Sequence, residues 1–220
     1  MKKFGVLGAA LAFAALLFNT SVASASDQTN LLDQAATTIS HMKADPAFGP
    51  ARNMLASAKG VLVIPKLVKG GFIFGAEGGS GVLMKKNGNG WSAPAFYTMG
   101  SGSFGLQIGL EQAEIVMLLM TDRALDQVTR AEFKLGAGGG ITMVSLSAGA
   151  QANLAADIIV WTSGKGLYGG LTLEGSVIKG RDDWNRAFYG KQVPVADIIA
   201  DKVTPPSANP AAQQLAALQP

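Results

Sequence analysis

His41 is the only histidine in the 220 residues, and there is no cysteine. Composition alone therefore removes a histidine-cluster metal site, a second catalytic histidine and a thiol nucleophile. No Gly-x-Ser-x-Gly elbow and no His-Glu-x-x-His pair occurs. His41 lies beside Met42 and Lys43 in a helical pattern, where a surface or packing role is the plain reading. Gly100-Ser-Gly-Ser-Phe-Gly105 matches G-x-G-x-x-G, but a dinucleotide site needs a helix N-terminus after the loop. The residues after Gly105 alternate with period two, so the match is accidental. Two acid pairs, Glu111 with Glu114 and Asp182 with Asp183, fall at an expected turn or helix start and read as solvated charge. An enzyme of unrecognised type would need a perturbed carboxylate at Glu111, Glu114 or Glu174. The sequence reads as a non-enzyme with no cofactor and no metal.

The constellation that carries information is basic. Lys59, Lys66, Lys69, Lys85 and Lys86 fall within 28 residues whose only acid is Glu77. If the strand ends at 61–64 and 85–86 lie together, these lysines form one positive patch with Trp91 at its margin. Leu67, Val68, Phe72 and Phe74 lie beside it, and an aromatic at a turn suits a membrane interface. Each lysine near an anionic bilayer contributes ~1 kcal/mol, and salt screens that attraction. The same residues also read as solubilising charge around a hairpin. Nucleic acid is not an expected partner, because no basic groove interleaved with aromatics occurs.

The elements that position these residues follow from periodicity. Residues 1–25 read as a secretory signal peptide: Lys2 and Lys3, an apolar run over 4–18, and Val-Ala-Ser-Ala before Ser26. Removing that leader takes Lys plus Arg from 18 to 16 against 15 acids, a net charge near +1. Leu31, Leu32, Ala35, Ala36, Ile39 and Met42 recur at helical spacing; this helix either caps the sheet or lies in a membrane surface, and its polar face is poor in Lys and Arg. A second helix is expected over 51–59. Strands are expected over 61–64, 71–76, 82–86, 95–99, 104–110, 115–120, 141–148, 157–162 and 167–178. Lys86-Asn-Gly-Asn-Gly-Trp91 is the clearest hairpin turn, and Thr121 caps a helix running to Arg130. Helices over 182–189 and 195–203 close the domain. Glycine stands at 28 of 220 residues, about twice the usual 7%, and without a collagen period this implies a tightly bent sheet. The strands over 104–110 and 115–120 are expected at the middle of the fold, the second buried on both faces. Gly105, Gln107 and Gly109 share one face of the first, open enough to line a cavity for an acyl chain. Residues 204–220 carry no charge and four prolines and read as a disordered tail, with one transient helical turn near Leu215 and Leu218. The fold class expected is α+β: a strongly bent antiparallel sheet or partly closed barrel of about 8–9 strands with capping helices.

Three motifs, Trp91-Ser-Ala-Pro-Ala-Phe96, Ser103-Phe-Gly-Leu-Gln-Ile-Gly109 and Met120-Thr-Asp-Arg-Ala-Leu125, resemble the SYLF domain, also called the Ysc84 actin-binding domain. The stretches 61–86 and 165–190 fit the same pattern, and the likeness runs over about 31–201 of a domain spanning 26–203. One departure stands out: many relatives place Gly-Pro-x-Gly after the Lys-Leu-Gly segment, and here Lys134-Leu-Gly136 leads into Ala-Gly-Gly-Gly140. The resemblance implies a bacterial exported protein, periplasmic or peripheral to the membrane, that binds acidic phospholipid. Lys59, Lys66, Lys69, Lys85, Lys86 and Trp91 are the candidate contacts. Phosphatidylglycerol or cardiolipin would be the natural lipids, since eukaryotic members are associated with phosphoinositides and with actin, which an exported bacterial protein does not meet. The alternative is an envelope structural or assembly protein that binds protein partners.

Overall fold

The computed structural model describes residues 25–71, 74–104, 109–136, 141–146, 156–163, 173 and 175–218. The chain opens with helix α1 (Ala25–Ala44), then a 3₁₀ stretch (Pro46–Ser57) capped by Asp45. Strands β1 (Gly60–Gly71), β2 (Phe74–Asn87), β3 (Gly90–Trp91), β4 (Ala95–Phe104) and β5 (Gly109–Leu119) come next. Helix α2 (Asp122–Val128) leads into β6 (Glu132–Lys134), β7 (Met143–Ser145), β8 (Ile158–Ser163) and β9 (Val177–Gly180). Helices α3 (Asp182–Tyr189), α4 (Val195–Ile199) and α5 (Pro210–Ala216) finish it.

These nine strands form one sheet in the order β6-β9-β4-β2-β1-β5-β8-β7, with β3 paired to β2. The sheet curls into a half-barrel with helices against it, an α+β fold as expected. All pairings are antiparallel except β7 with β8, which makes the sheet mixed. Alternation along each strand feeds two cores. Val61, Val63, Val82, Met84, Val116 and Leu118 pack beneath α1, the 3₁₀ stretch and α5. Leu62, Ile64, Leu83, Ile115, Met117 and Leu119 form the core on the opposite face, with α2 and α4. Helix α1 buries Leu31, Leu32, Ala35, Ile39 and Met42 against the sheet, so its apolar stripe caps that face.

One irregularity shapes the centre. Ile64 pairs with Ile115 and Leu67 with Ala113, so Pro65 and Lys66 of β1 oppose the single residue Glu114 of β5. The pairing of β1 with β2 slips over the same stretch. This is a β-bulge, which bends a strand and re-aims its side chains, and Pro65 suits it because it has no N–H to pair. Glycine on β2 makes room for the bulge. A Cβ at Gly79 would lie 2.5 Å from the Lys66 carbonyl oxygen, and one at Gly81 would lie 2.8 Å from that of Val63.

Several expectations are corrected. The segments expected as strands over 61–64 and 71–76 are parts of β1 and of its hairpin with β2, and these two strands hold the middle of the sheet. The strand expected over 104–110 straddles the end of β4 and the start of β5, while 105–108 lies outside the described residues. Residues 111–114 are strand, because β5 is continuous to Leu119. The expected helix at 51–59 is 3₁₀. The tail is not disordered over its described length: Asn209 caps α5, whose Ala211 and Leu215 are fully buried, as nearly is Leu218 beyond it. Pro205, Pro206 and Pro210 set its approach without breaking it, since proline is tolerated in a first helical turn. The signal peptide, the 137–140 glycines and most of the strand expected at 167–178 lie outside the described residues.

Candidate functional site

The five lysines do not gather into one patch. Gly60 pairs with Lys85, and the Lys86 N–H donates to the Lys59 carbonyl at 2.9 Å, which brings Lys59, Lys85 and Lys86 to one end of the β1/β2 pair. Lys86 pairs with Trp91 across the β2/β3 hairpin, where Gly88 takes the positive φ of +57°. Lys66 stands six residues further along β1, roughly 20 Å away at strand rise. Lys69 falls further still, in register with Glu77 and Glu111. Within the end cluster, Lys59 lies 3.5 Å from Asp122, and the Lys86 ammonium donates to the Ala56 carbonyl. Trp91 is half-buried against the core beneath α1, which leaves it a packing residue more than a rim aromatic. Gly105 and Gln107 lie outside the described residues; Gly109 begins β5, paired with Gly71.

Lys66 instead sits over a cleft that sequence reading missed. A cavity of about 330 Å³ opens between α1 and the strands, lined by Gln34, Thr38, Lys66, Gln112, Glu114 and Ser163 among others. A neighbouring one of about 320 Å³ shares Gln34 and Lys66 and runs on to Asp27, Ser80 and Trp184. Glu114 is 21% exposed; it accepts from the Thr38 hydroxyl at 2.9 Å and meets His41 Nδ1 at 2.9 Å. Its own N–H donates to Ser163 Oγ at 3.1 Å. His41 is thus tied to β5 rather than loose on the surface, and Glu114 is not solvated turn charge. The signal for it was the bulge, which no local pattern reveals.

A second cluster is structural in character. Asp157 is buried and accepts from the Thr142 N–H and hydroxyl (both 2.9 Å), Thr121 Oγ1 (2.8 Å) and Arg123 Nη2 (2.8 Å). The Thr142 amide above all, then the hydroxyls and Arg123, outweigh burial and hold its carboxyl well below the usual carboxylate range. Elsewhere Asn185 Oδ1 accepts from the Phe96 N–H at 2.8 Å, and the Phe96 ring packs edge-on to Trp184 and Phe188. Asp201, at φ +54°, accepts from the Ala93 N–H at 2.9 Å and from Asn87.

Residues 100–218 match the family model described as "Ysc84: Las17-binding protein actin regulator". The chain belongs to the Ysc84 family. Among relatives, this Ysc84 chain is 32% identical over 183 residues to LAS seventeen-binding protein 3 of Saccharomyces cerevisiae, covering 77% of this chain and 39% of that one. It is 31% identical over 154 residues to human SH3 domain-containing YSC84-like protein 1, covering 67% of this chain and 44% of that one. It therefore spans less than half the length of these relatives. No solved structure matches it. The Ysc84 motifs now have places in the fold. Thr121 and Arg123 of the Met120–Leu125 motif bind Asp157, and the Trp91–Phe96 motif locks onto α3 and Asp201. Both are joints of the scaffold. Among the described residues no helix is long and apolar enough to cross a membrane.

Proposed function

We propose that this Ysc84 domain is a non-enzymatic phospholipid-binding module, exported by residues 1–25, that docks reversibly on acidic headgroups at the cell envelope. The observation that carries the reading is the gathering of Lys59, Lys85 and Lys86 at one end of the central strand pair. The Lys59–Asp122 contact is an exposed pair, worth little in water, and exchanges readily for a phosphate. Each lysine that reaches an anionic surface supplies ~1 kcal/mol, enough in sum for weak, salt-sensitive docking and too little for permanent anchorage.

The test is co-sedimentation with vesicles of phosphatidylcholine alone or with phosphatidylglycerol or cardiolipin, at low and high salt. Acidic vesicles should bind the protein, salt should release it, and Lys59/Lys85/Lys86→Ala should weaken binding on the order of 100-fold. Lys69→Ala, outside the cluster, should change it little. Equal binding to neutral vesicles, or full binding by the triple variant, defeats the reading. A second reading comes from the relatives' names, which state binding to a protein: on it the domain serves envelope assembly by holding a protein partner. Retained localisation in the triple variant would favour it.

A further inference from the structure

We infer that the cleft between α1 and the β1 bulge binds a small zwitterionic group, an anionic phosphate beside a primary ammonium, with Lys66 taking the phosphate and Glu114 the ammonium. This rests on residues separate from the end cluster and does not depend on the docking proposed above.

Three observations converge on it. The first is construction. With one extra residue in β1, Pro65 and Lys66 both face the cleft beneath α1. In a regular strand they would point to opposite faces. The bulge is held in place by glycine, since a Cβ at Gly79 or Gly81 would strike the β1 backbone. Bulges of this kind recur where a strand must aim one side chain.

The second is charge. Lys66 and Glu114 line the same cavity on adjacent strands. Yet no ion pair within 4.0 Å joins them, and among the described residues Lys66 has no carboxylate partner at that distance. Glu114 is oriented by the Thr38 hydroxyl and His41 Nδ1, so its position is fixed before any ligand arrives. A cation and an anion facing one cavity without meeting each other present opposite charges to a guest at two separate points. A simple anion would be repelled by Glu114, and a simple amine by Lys66; a zwitterion satisfies both.

The third is size and polarity. About 330 Å³, continued by about 320 Å³ through the shared Gln34 and Lys66, is at the small-ligand end of binding cavities. Gln34, Gln112 and Ser163 add neutral donors and acceptors around the charged pair. The ammonium must carry N–H groups to bond a carboxylate, so ethanolamine-type groups fit and trimethylated ones do not.

Phosphoethanolamine is the simplest molecule with this chemistry, and it exists free or as a lipid headgroup. The experiment titrates the full chain by calorimetry with O-phosphoethanolamine, inorganic phosphate, ethanolamine and O-phosphocholine. In parallel, it measures binding to phosphatidylcholine vesicles with and without phosphatidylethanolamine. O-phosphoethanolamine should bind at least tenfold tighter than the other three soluble probes. Preference for the ethanolamine vesicles without soluble binding supports the same site and assigns the lipid as its source. Lys66→Met and Glu114→Gln should each weaken binding at least tenfold. Lys179→Ala, on β9, should leave it unchanged. Lys66 is exposed, so its variant tests the site even if Glu114→Gln melts early. The inference is overturned if phosphate alone binds as well as phosphoethanolamine, if choline and ethanolamine vesicles bind equally, or if both variants bind like the parent.

Discussion

Asp157 is where a single atom group ties the most chain together. Its carboxylate joins α2, through Thr121 and Arg123, to the approach to β7, through Thr142, at the start of β8. Its folded-state pKa lies below the ordinary Asp value of ~3.9, so it stabilises the fold above that value and the stabilisation is lost as pH falls through the folded pKa. Asp157→Asn should cost about 1.5–3 kcal/mol at neutral pH, the range for hydrogen bonds to a charged group. The gap in melting temperature between parent and variant, measured from pH 7 down to 2, should begin to narrow below about pH 4 and go on closing as pH falls; a constant gap would show that the charge is immaterial. Nothing near Asp157 in the sequence marks it, because its partners come from 15 to 36 positions away. The lysines were legible as residues and illegible as a patch. Their spacing in sequence says nothing of how far a strand carries Lys66 from Lys86.

At the scale of elements, periodicity served well wherever one face met a core. The helix expected over 182–189 is α3 to the residue, and α1 and the Thr121 cap were read within a turn. Reading failed where tertiary contact overrules local signal. Residues 111–114 carry two glutamates and look like a turn, yet β1 pairs with 111–113 and β8 with Glu114, which keeps them in strand. Residues 204–220 look unfoldable, yet Ala211, Leu215 and Leu218 find a ready apolar face beside α1. Deleting 204–220 should therefore lower stability by about 2–4 kcal/mol after the ordering entropy of α5 is offset. Chemical denaturation would read this as a lower midpoint, and an unchanged midpoint would mean that α5 contributes nothing. The bulge makes a sharper case. Gly79→Ala must displace the Lys66 carbonyl and should cost about 1–3 kcal/mol, as overpacking does. Gly102→Ala, with open space around its Cβ, should cost well under half of that. The pair can be compared in one denaturation series, and equal costs would remove the steric reason for the bulge.

At the scale of the molecule, the centre of the sheet is buried on both faces and every described strand from β1 to β5 pairs on two sides or caps one that does. A curled sheet was legible from glycine content, and Gly79 and Gly81 are where β2 lies too close to the β1 backbone to carry a side chain. The order of strands was not legible, because pairing partners such as β4 and β9 lie about 80 residues apart. That order carries a mechanical consequence. The outermost strands, β6 and β7, are consecutive in sequence, separated by residues 135–142. Eight strands laid flat would hold their edges ~34 Å apart at ~4.8 Å per strand. The link reaches at most ~32 Å when fully stretched. Connectivity alone therefore keeps the two edges of the sheet nearer together than a flat sheet would place them, and a cut between β6 and β7 would remove that limit.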